Sequence, residues 1–234
     1  MAYLEGDGDF KSREIKKLRD EADIIITNPP FSLFREFLAW VVEANKQFVV
    51  IGNMNAITYK EVFPLIKNDK MWLGNGFHAG NAYFSTPFAK EYAEGVYNSE
   101  TGLVKFRNVC WFTNLDHGRR HQPLPLMTME DNLKFSKHKE IKGRDSYEKY
   151  TNYDAIEISF TDSIPSDYEG VMGVPISFLD KYSPEQFEIV GATESEGRGF
   201  SEGLWNEKSK ISQPLVGNER VYKRIFIKHK KVAK

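Results

Sequence analysis

Two consecutive prolines interrupt an apolar run and limit how the backbone can continue. The run at residues 23–27 is typical of a buried strand, and Asn28-Pro29-Pro30-Phe31 follows it directly. Proline lacks a backbone N–H and has a fixed φ, so it cannot continue a central strand. The strand must end here, and in an open α/β sheet ligands bind at this end of the strands. We expect the Asn28 side-chain oxygen, the Pro29 carbonyl and the Phe31 ring to face one small volume. That volume would suit a planar ring with an exocyclic amino group, as in adenine.

The segments around this tetrad predict an α/β fold. Ser32 is a candidate N-cap for a helix, and residues 48–51 form a second apolar run after it. This alternation of strand, helix and strand predicts a right-handed crossover and a parallel sheet. The apolar face of the helix is predicted to contain Leu33, Phe34, Phe37, Leu38, Val41 and Val42. A short loop and a charged helix are predicted within 9–22, and a short helix at 59–67 with Pro64 at an end or a kink. Further strands are predicted at 70–73, 81–85, 108–113, 153–160, 187–190 and 221–227.

The residue composition of the chain changes after residue 115. Residues 116–125 form a polar loop that several prolines interrupt, and residues 134–149 are rich in Lys, Arg and His. A glycine-rich loop is predicted at 197–203. We therefore predict two regions, residues 1–115 and residues 116–234.

Composition excludes some functional classes and leaves others open. The 234 residues have a formal net charge of −1, so any nucleic-acid contact must come from local patches. The single cysteine, Cys110, cannot form an internal disulfide, which fits a reducing compartment. No segment is apolar enough to span a membrane and the N-terminus lacks a signal-peptide pattern, which predicts a cytoplasmic protein. The histidines lack metal-ligand spacing with Cys110, so we predict no metal site.

The tetrad resembles the Asp/Asn/Ser-Pro-Pro-Tyr/Phe/Trp motif of the amino-methyltransferases that modify adenine N6 in DNA. The wider sequence at 6–10, 22–34 and 51–61 is similar to the EcoRI-type adenine-specific DNA methyltransferase family. This resemblance implies a partial class I methyltransferase (Rossmann-like) sheet in residues 1–115. It implies a mixed α+β target-recognition region in residues 116–234. S-adenosylmethionine is the implied cofactor, double-stranded DNA the implied substrate, and a restriction-modification system the implied context.

The resemblance gives the tetrad a chemical role. N6 of adenine is paired inside the duplex, so the base must be flipped out before it can react. The Asn28 oxygen and the Pro29 carbonyl would accept the two N6 hydrogens and aim the amine lone pair at the methyl group. Phe31 would stack on the extruded base, a contact worth about 1–3 kcal/mol. The alternative is that Asn28-Pro29-Pro30 is only a turn.

The resemblance also suggests further site residues. Asp9 and Phe10 would hold the cofactor's adenine through a carboxylate and a backbone N–H. Asp7 is the alternative carboxylate, and a flexible acidic turn is the alternative to any such role. Asn53 and Asn55 follow the second predicted strand and are candidates for contact with the nucleic acid, or for turn stabilisation. The remaining candidates, which would contact phosphates unless they are only solvated, are Arg119, Arg120 and His121.

One departure from the family pattern affects the functional interpretation. Members carry a glycine-rich cofactor loop well upstream of the tetrad, and this sequence does not include one. We therefore expect weak affinity for S-adenosylmethionine and an unprotected edge at the strand before the tetrad. The sequence allows a truncated enzyme, a split enzyme with a complementing N-terminal chain, or a non-catalytic DNA-binding or assembly subunit. Methyl transfer to RNA bases or to protein glutamine is a further alternative.

Overall fold

A computed structural model of the chain describes residues 4–75, 81–88, 92, 95–193 and 213–230. These residues belong to two compact units. The first unit consists of Met1–Asn55 and Met71–Asp116, and the second of Ala56–Lys70 and His117–Lys234. The division into functional regions at residue 115 remains a prediction, and the segment Ala56–Lys70 packs within the second unit.

The first unit contains two helices and two sheets in its described part. Its helices are α1 (Arg13–Glu21) and α2 (Phe34–Glu43). Its strands are β1 (Ile24–Thr27), β2 (Gln47–Asn53), β3 (Trp72–Leu73), β4 (Ala82–Phe84), β5 (Tyr97–Asn98), β6 (Leu103–Phe106) and β7 (Val109–Thr113). One sheet has the order β1-β2-β7-β3 and the other, which is antiparallel, the order β4-β6-β5.

The first sheet is mixed. Strands β1 and β2 are parallel, which confirms the predicted crossover, but β7 pairs antiparallel to both β2 and β3. Strand β1 lies at the edge of this sheet. The prediction that it is buried was wrong: Ile24 and Ile26 alternate onto one face, and Ile26 is 70% exposed.

Helix α2 follows the two prolines through a short 3₁₀ turn, Phe31–Leu33. The predicted N-cap Ser32 was wrong, because Ser32 lies inside this turn and Leu33 precedes the helix without a side-chain cap. The apolar face is confirmed at its centre, where the buried residues are Phe34, Phe37, Leu38 and Val41. Leu33 is largely exposed because it belongs to the turn.

Gly52 on β2 lets α2 approach the sheet closely. A Cβ atom at Gly52 would lie 2.6 Å from the Phe34 ring and 2.8 Å from the Phe112 ring. These rings are buried and pack against each other, with centroids 5.1 Å apart. The first residue of α2 is therefore fixed on the sheet directly after the turn.

The second unit is built on the sheet β10-β13-β9-β8. Its described helices are α3 (Phe63–Lys67) and α4 (Met129–Phe135), and its strands are β8 (Ile156–Glu157), β9 (Met172–Pro175), β10 (Phe187–Ala192), β11 (Leu215–Val216), β12 (Glu219–Arg220) and β13 (Arg224–His229). Pro64 lies in the first turn of α3, as its missing N–H requires. The strand predicted at 153–160 is reduced to β8. The glycine-rich loop predicted at 197–203 lies outside the described residues.

A buried polar cluster crosses this sheet. Arg224 on β13 donates to the Glu157 carboxylate through Nη2 at 2.6 Å and through Nε at 3.1 and 3.2 Å. The Tyr150 hydroxyl donates to the same carboxylate. Burial, and then the Glu157 charge, raise the pKa of Tyr150 well above its usual 10.0, so this hydroxyl keeps its proton. Each charged group thus has a partner away from water.

No helix in the described ranges is both long and apolar enough to cross a membrane.

Replacing Gly52 by alanine tests the close approach of α2. Both buried rings must shift to admit the methyl group, and overpacking of a core costs about 1–3 kcal/mol. We expect this loss in the free energy of unfolding measured by urea titration. Gly118→Ala is the control, because nothing lies within 4 Å of a Cβ at that position. Equal stabilities of the two variants would contradict the tight packing.

Replacing Glu157 by glutamine tests the buried cluster. The Arg224 charge would lose its counter-charge inside the protein, and we expect a loss of about 3–5 kcal/mol of unfolding free energy. Glu130→Gln is the matched control, since Glu130 pairs with Lys134 on the surface of α4, where an ion pair contributes about 0–1 kcal/mol. A loss at Glu157 no larger than that at Glu130 would show that the cluster is not a stabilising feature.

Candidate functional site

A cavity of about 520 Å³ lies in the first unit, where the chain leaves β1. Its volume is within the usual range for small-molecule sites, about 300–1,000 Å³. Its described lining consists of Asn28, Pro29, Pro30, Phe31, Ile51, Phe84, Thr86, Tyr92, Phe106 and Val109. The structure therefore brings all four residues of the predicted tetrad to one cavity.

The tetrad forms one wall of this cavity. Pro29 is buried, whereas Asn28 and Pro30 are exposed. The Asn28 amide makes no hydrogen bond to any residue that the structure describes, so its donors and its acceptor remain available. Phe31 is 45% exposed, an unusual state for a ring that lies three residues before the buried Phe34. At this wall, the Asn28 amide has no hydrogen bond to a described residue, and the Phe31 ring is about half-exposed.

A second wall of the cavity comes from the three-stranded sheet, and the sequence reasoning missed it. Phe84 on β4 and Phe106 on β6 have ring centroids 5.6 Å apart and a near-perpendicular arrangement. Tyr92 packs edge-on to Phe106 at 5.8 Å. Alternation along the strands puts Phe84, Ala82 and Phe106 on one face. Single aromatic residues in short strands gave no sequence signal, because nothing local pairs residues 82–84 with 104–106.

The floor of the cavity belongs to the main sheet. Ile51 on β2 and Val109 on β7 contribute apolar side chains to the lining. The polar groups of the described lining are the Asn28 amide and the hydroxyls of Thr86 and Tyr92. Such a cavity favours a flat apolar ligand with few hydrogen-bonding groups.

Asp9 and Phe10 do not belong to the described lining of this cavity. The Phe10 ring is buried, 5.5 Å from both the Phe37 and Trp40 ring centroids. Asp9 is exposed, and its Oδ1 accepts the Lys11 N–H at 3.0 Å. The Phe10 side chain is therefore a core residue, and any ligand contact would have to use its backbone.

Asn53 and Asn55 form a turn after β2. Asn53 Oδ1 accepts the Asn55 N–H at 2.8 Å, so its side chain stabilises the backbone of this turn. Both residues are half-buried. A role in contact with a nucleic acid remains a prediction for this pair.

Arg119, Arg120 and His121 lie in a short 3₁₀ turn of the second unit, and each one faces a carboxylate. Arg119 pairs with Asp180 at 3.2 Å, and His121 Nδ1 lies 2.7 Å from Glu185. Partial burial raises the pKa of Glu185, but hydrogen bonds, including the one from His121, outweigh it and leave that pKa below its usual value.

Arg120 differs from its neighbours because it is only 8% exposed and pairs with Asp69. Its guanidinium supports the fold of this turn, while Arg119 and His121 are more accessible. The role of the three residues in phosphate contact stays a prediction.

No cluster of three or more His, Cys, Asp or Glu side chains suited to a metal ion occurs within the part of the chain that the structure describes.

Comparison with known proteins adds independent findings. A family model described as adenine-specific methyltransferase EcoRI matches residues 1–230. The chain is 42% identical over 236 residues to the Type II methyltransferase M.EcoRI of Escherichia coli, a match that covers 98% of this chain and 64% of that protein. It is 35% identical over 241 residues to the Type II methyltransferase M.MgeORF184P of Mycoplasma genitalium, covering 98% of this chain and 71% of that protein.

A third relative, the Type II methyltransferase M.MpnI of Mycoplasma pneumoniae, is 36% identical over 191 residues, which cover 80% of this chain and 57% of the relative. The chain thus spans less than two thirds of the length of two of these three relatives. No solved structure matches the chain. The predicted complementing chain has no support in these findings.

The contrast between Phe31 and Phe34 provides a test of the site. Phe34 is 2% exposed, and Phe34→Ala should lower the free energy of unfolding by about 3–5 kcal/mol, as truncation of a buried ring does. Phe31→Ala should change it by about 0.5 kcal/mol or less, because the ring is half-exposed over the cavity. Urea titrations of both variants make this comparison. A large loss for Phe31→Ala would show that its ring is a core residue rather than part of an open site.

Proposed function

The chain belongs to the EcoRI family of adenine-specific methyltransferases, and from this we propose that it transfers a methyl group from S-adenosylmethionine to N6 of adenine in double-stranded DNA. The observation that carries the proposal is the Asn28 amide, which has no hydrogen-bond partner among the described residues, beside the half-exposed Phe31 ring in a largely apolar cavity. We also propose a cytoplasmic location, where such a protein would meet DNA.

The cavity wall can bind and orient an amine. An adenine amino group has two N–H donors, and the Asn28 Oδ1 and the Pro29 carbonyl are acceptors at one wall of the cavity. Accepting both hydrogens draws the nitrogen lone pair away from the ring and points it out of the ring plane. The exposed Phe31 ring offers a stacking surface for the flipped base, worth about 1–3 kcal/mol. Catalysis by positioning of this kind needs no strong general base.

The rigid backbone of the tetrad makes this positioning effective. Pro29 and Pro30 fix φ on both sides of the acceptor carbonyl. The Leu33 N–H donates to the Pro30 carbonyl at 2.9 Å, and Phe34 is anchored over Gly52. The acceptors are therefore held before the base arrives, which lowers the entropy cost of alignment.

Bound S-adenosylmethionine would supply the methyl group from its sulfonium centre. The residues we propose to hold it are Asp9 and the backbone of Phe10. Asp9 suits this role because its side chain is exposed. Its Oδ1 accepts the Lys11 N–H, which leaves Oδ2 to accept a hydrogen bond from the cofactor. The buried Phe10 ring would keep that backbone in place.

For DNA outside the cavity, we propose contacts to phosphates from Arg119 and His121, where a phosphate would compete with Asp180 and Glu185. The ion pair between Arg120 and Asp69 would stabilise this turn. Asn53 and Asn55 would border the extruded nucleotide from the turn that Asn53 stabilises.

Methyl transfer from labelled S-adenosylmethionine to unmethylated duplex DNA tests the proposal. We expect label at adenine N6 with the unaltered chain and a loss of about 100-fold or more in kcat for Asn28→Ala, since a positioned acceptor is removed. Asn28→Asp should lose less, because it keeps an acceptor oxygen. Ser32→Ala is the control from the same turn and should keep full activity.

Three results would contradict the proposal. Label in cytosine, in RNA or in protein instead of adenine would identify another acceptor. Equal activity of Asn28→Ala and the unaltered chain would place the chemistry elsewhere. Binding of duplex DNA without any transfer would favour a non-catalytic DNA-binding subunit.

A further inference from the structure

The two acceptors of the tetrad cannot by themselves select adenine. Asn28 and Pro29 can accept hydrogens from an exocyclic amino group, and cytosine and guanine carry such a group as well as adenine. Every base also has a flat face that can stack on Phe31. Selection among the three amino-bearing bases, and between adenine and cytosine in particular, must therefore come from groups that contact the rest of the ring.

The second wall, from the three-stranded sheet, offers such groups. Phe84 is 43% exposed and Tyr92 38% exposed, although both rings pack edge-on to Phe106. Aromatic rings in short strands are normally covered, and here the exposed parts face the same cavity as Phe31. These rings offer apolar surface to a flat ligand in the same cavity as Phe31.

Thr86 contributes an aliphatic hydroxyl to this wall, beside the phenolic hydroxyl of Tyr92. The Thr86 Oγ1 accepts the Phe88 N–H at 3.3 Å, which fixes the position of the hydroxyl oxygen. The hydroxyl hydrogen has no acceptor among the described residues, so it can be donated to a ligand. N1, N3 and N7 of adenine are acceptors that match this donor. Cytosine has an equivalent of N1 beside its amino group, but it lacks the five-membered ring that carries N7.

We propose that Thr86 and the rings of Phe84 and Phe106 recognise the purine ring of the target base and so determine selectivity for adenine over cytosine. Thr86 donates a hydrogen bond to one ring nitrogen, and the two rings contact the larger purine surface. This inference rests on the proposed function and extends it from the amino group to the ring of the substrate.

Binding of free bases tests this inference without any need for catalysis. Saturation-transfer NMR with the whole chain would measure the affinities of adenine, cytosine, and 1-deaza-, 3-deaza- and 7-deazaadenine. We expect adenine to bind at least tenfold more tightly than cytosine. One deaza analogue should bind about fivefold more weakly than adenine, because it lacks the nitrogen that accepts from Thr86.

Substitutions test whether the weaker binding of the deaza analogue is due to the proposed residues. Thr86→Val should weaken adenine binding about fivefold and should not weaken binding of the affected deaza analogue further, whereas Thr86→Ser should restore the preference. Phe84→Ala should weaken adenine binding about tenfold. Tyr83→Ala is the control, since Tyr83 lies next to Phe84 on the opposite face of β4, exposed and outside the described lining.

The outcomes separate this inference from the proposed function. Equal binding of adenine and cytosine, no detectable adenine binding at millimolar concentration, or an unchanged analogue pattern in Thr86→Val would each overturn it. A purely structural role of Thr86 would weaken all ligands equally and also overturn it. Selective adenine binding by a chain that transfers no methyl group would support this inference and contradict the proposed activity.

Discussion

The packing of Phe34 against Gly52 determines where the site can be. Because Gly52 lacks a Cβ, the Phe34 ring reaches the sheet beside Phe112 and fixes the start of α2. Only two residues separate this anchor from Phe31, and the prolines between β1 and the turn leave the backbone little freedom. The Asn28 amide and the Phe31 ring are consequently held over the cavity rather than folded into the core. A site that acts by orientation requires this kind of support.

The cavity combines two walls with different origins and different chemistry. The wall of Asn28, Pro29 and Phe31 is continuous in sequence, and in the proposed function it binds an amino group that adenine, cytosine and guanine share. The wall of Phe84, Thr86 and Phe106 is assembled by strand pairing between β4 and β6. It meets the part of the ligand in which purines and pyrimidines differ. In our proposals, the first wall therefore orients the amino group for the reaction, and the second wall selects the base.

The second unit shows how polar groups can be structural even where their charge suggests a partner. Arg120 and Arg224 are both nearly buried, and each one faces a carboxylate, Asp69 and Glu157 respectively. Removing one partner would leave an isolated charge away from water, which is costly. A cluster of basic residues in a sequence therefore does not distinguish a phosphate contact from an internal ion pair.

The sequence alone determined the local features: the end of β1 at the prolines, the parallel pairing of β1 with β2, the buried face of α2 and the identity of the tetrad. These depend on backbone chemistry and periodicity within a few residues. It failed where the outcome depends on distant partners, as in the exposure of Ile26, the antiparallel position of β7 and the ion pair of Arg120 with Asp69. Only the tertiary structure brought Phe84, Thr86 and Phe106 to the tetrad, because no local pattern encodes which strands pair.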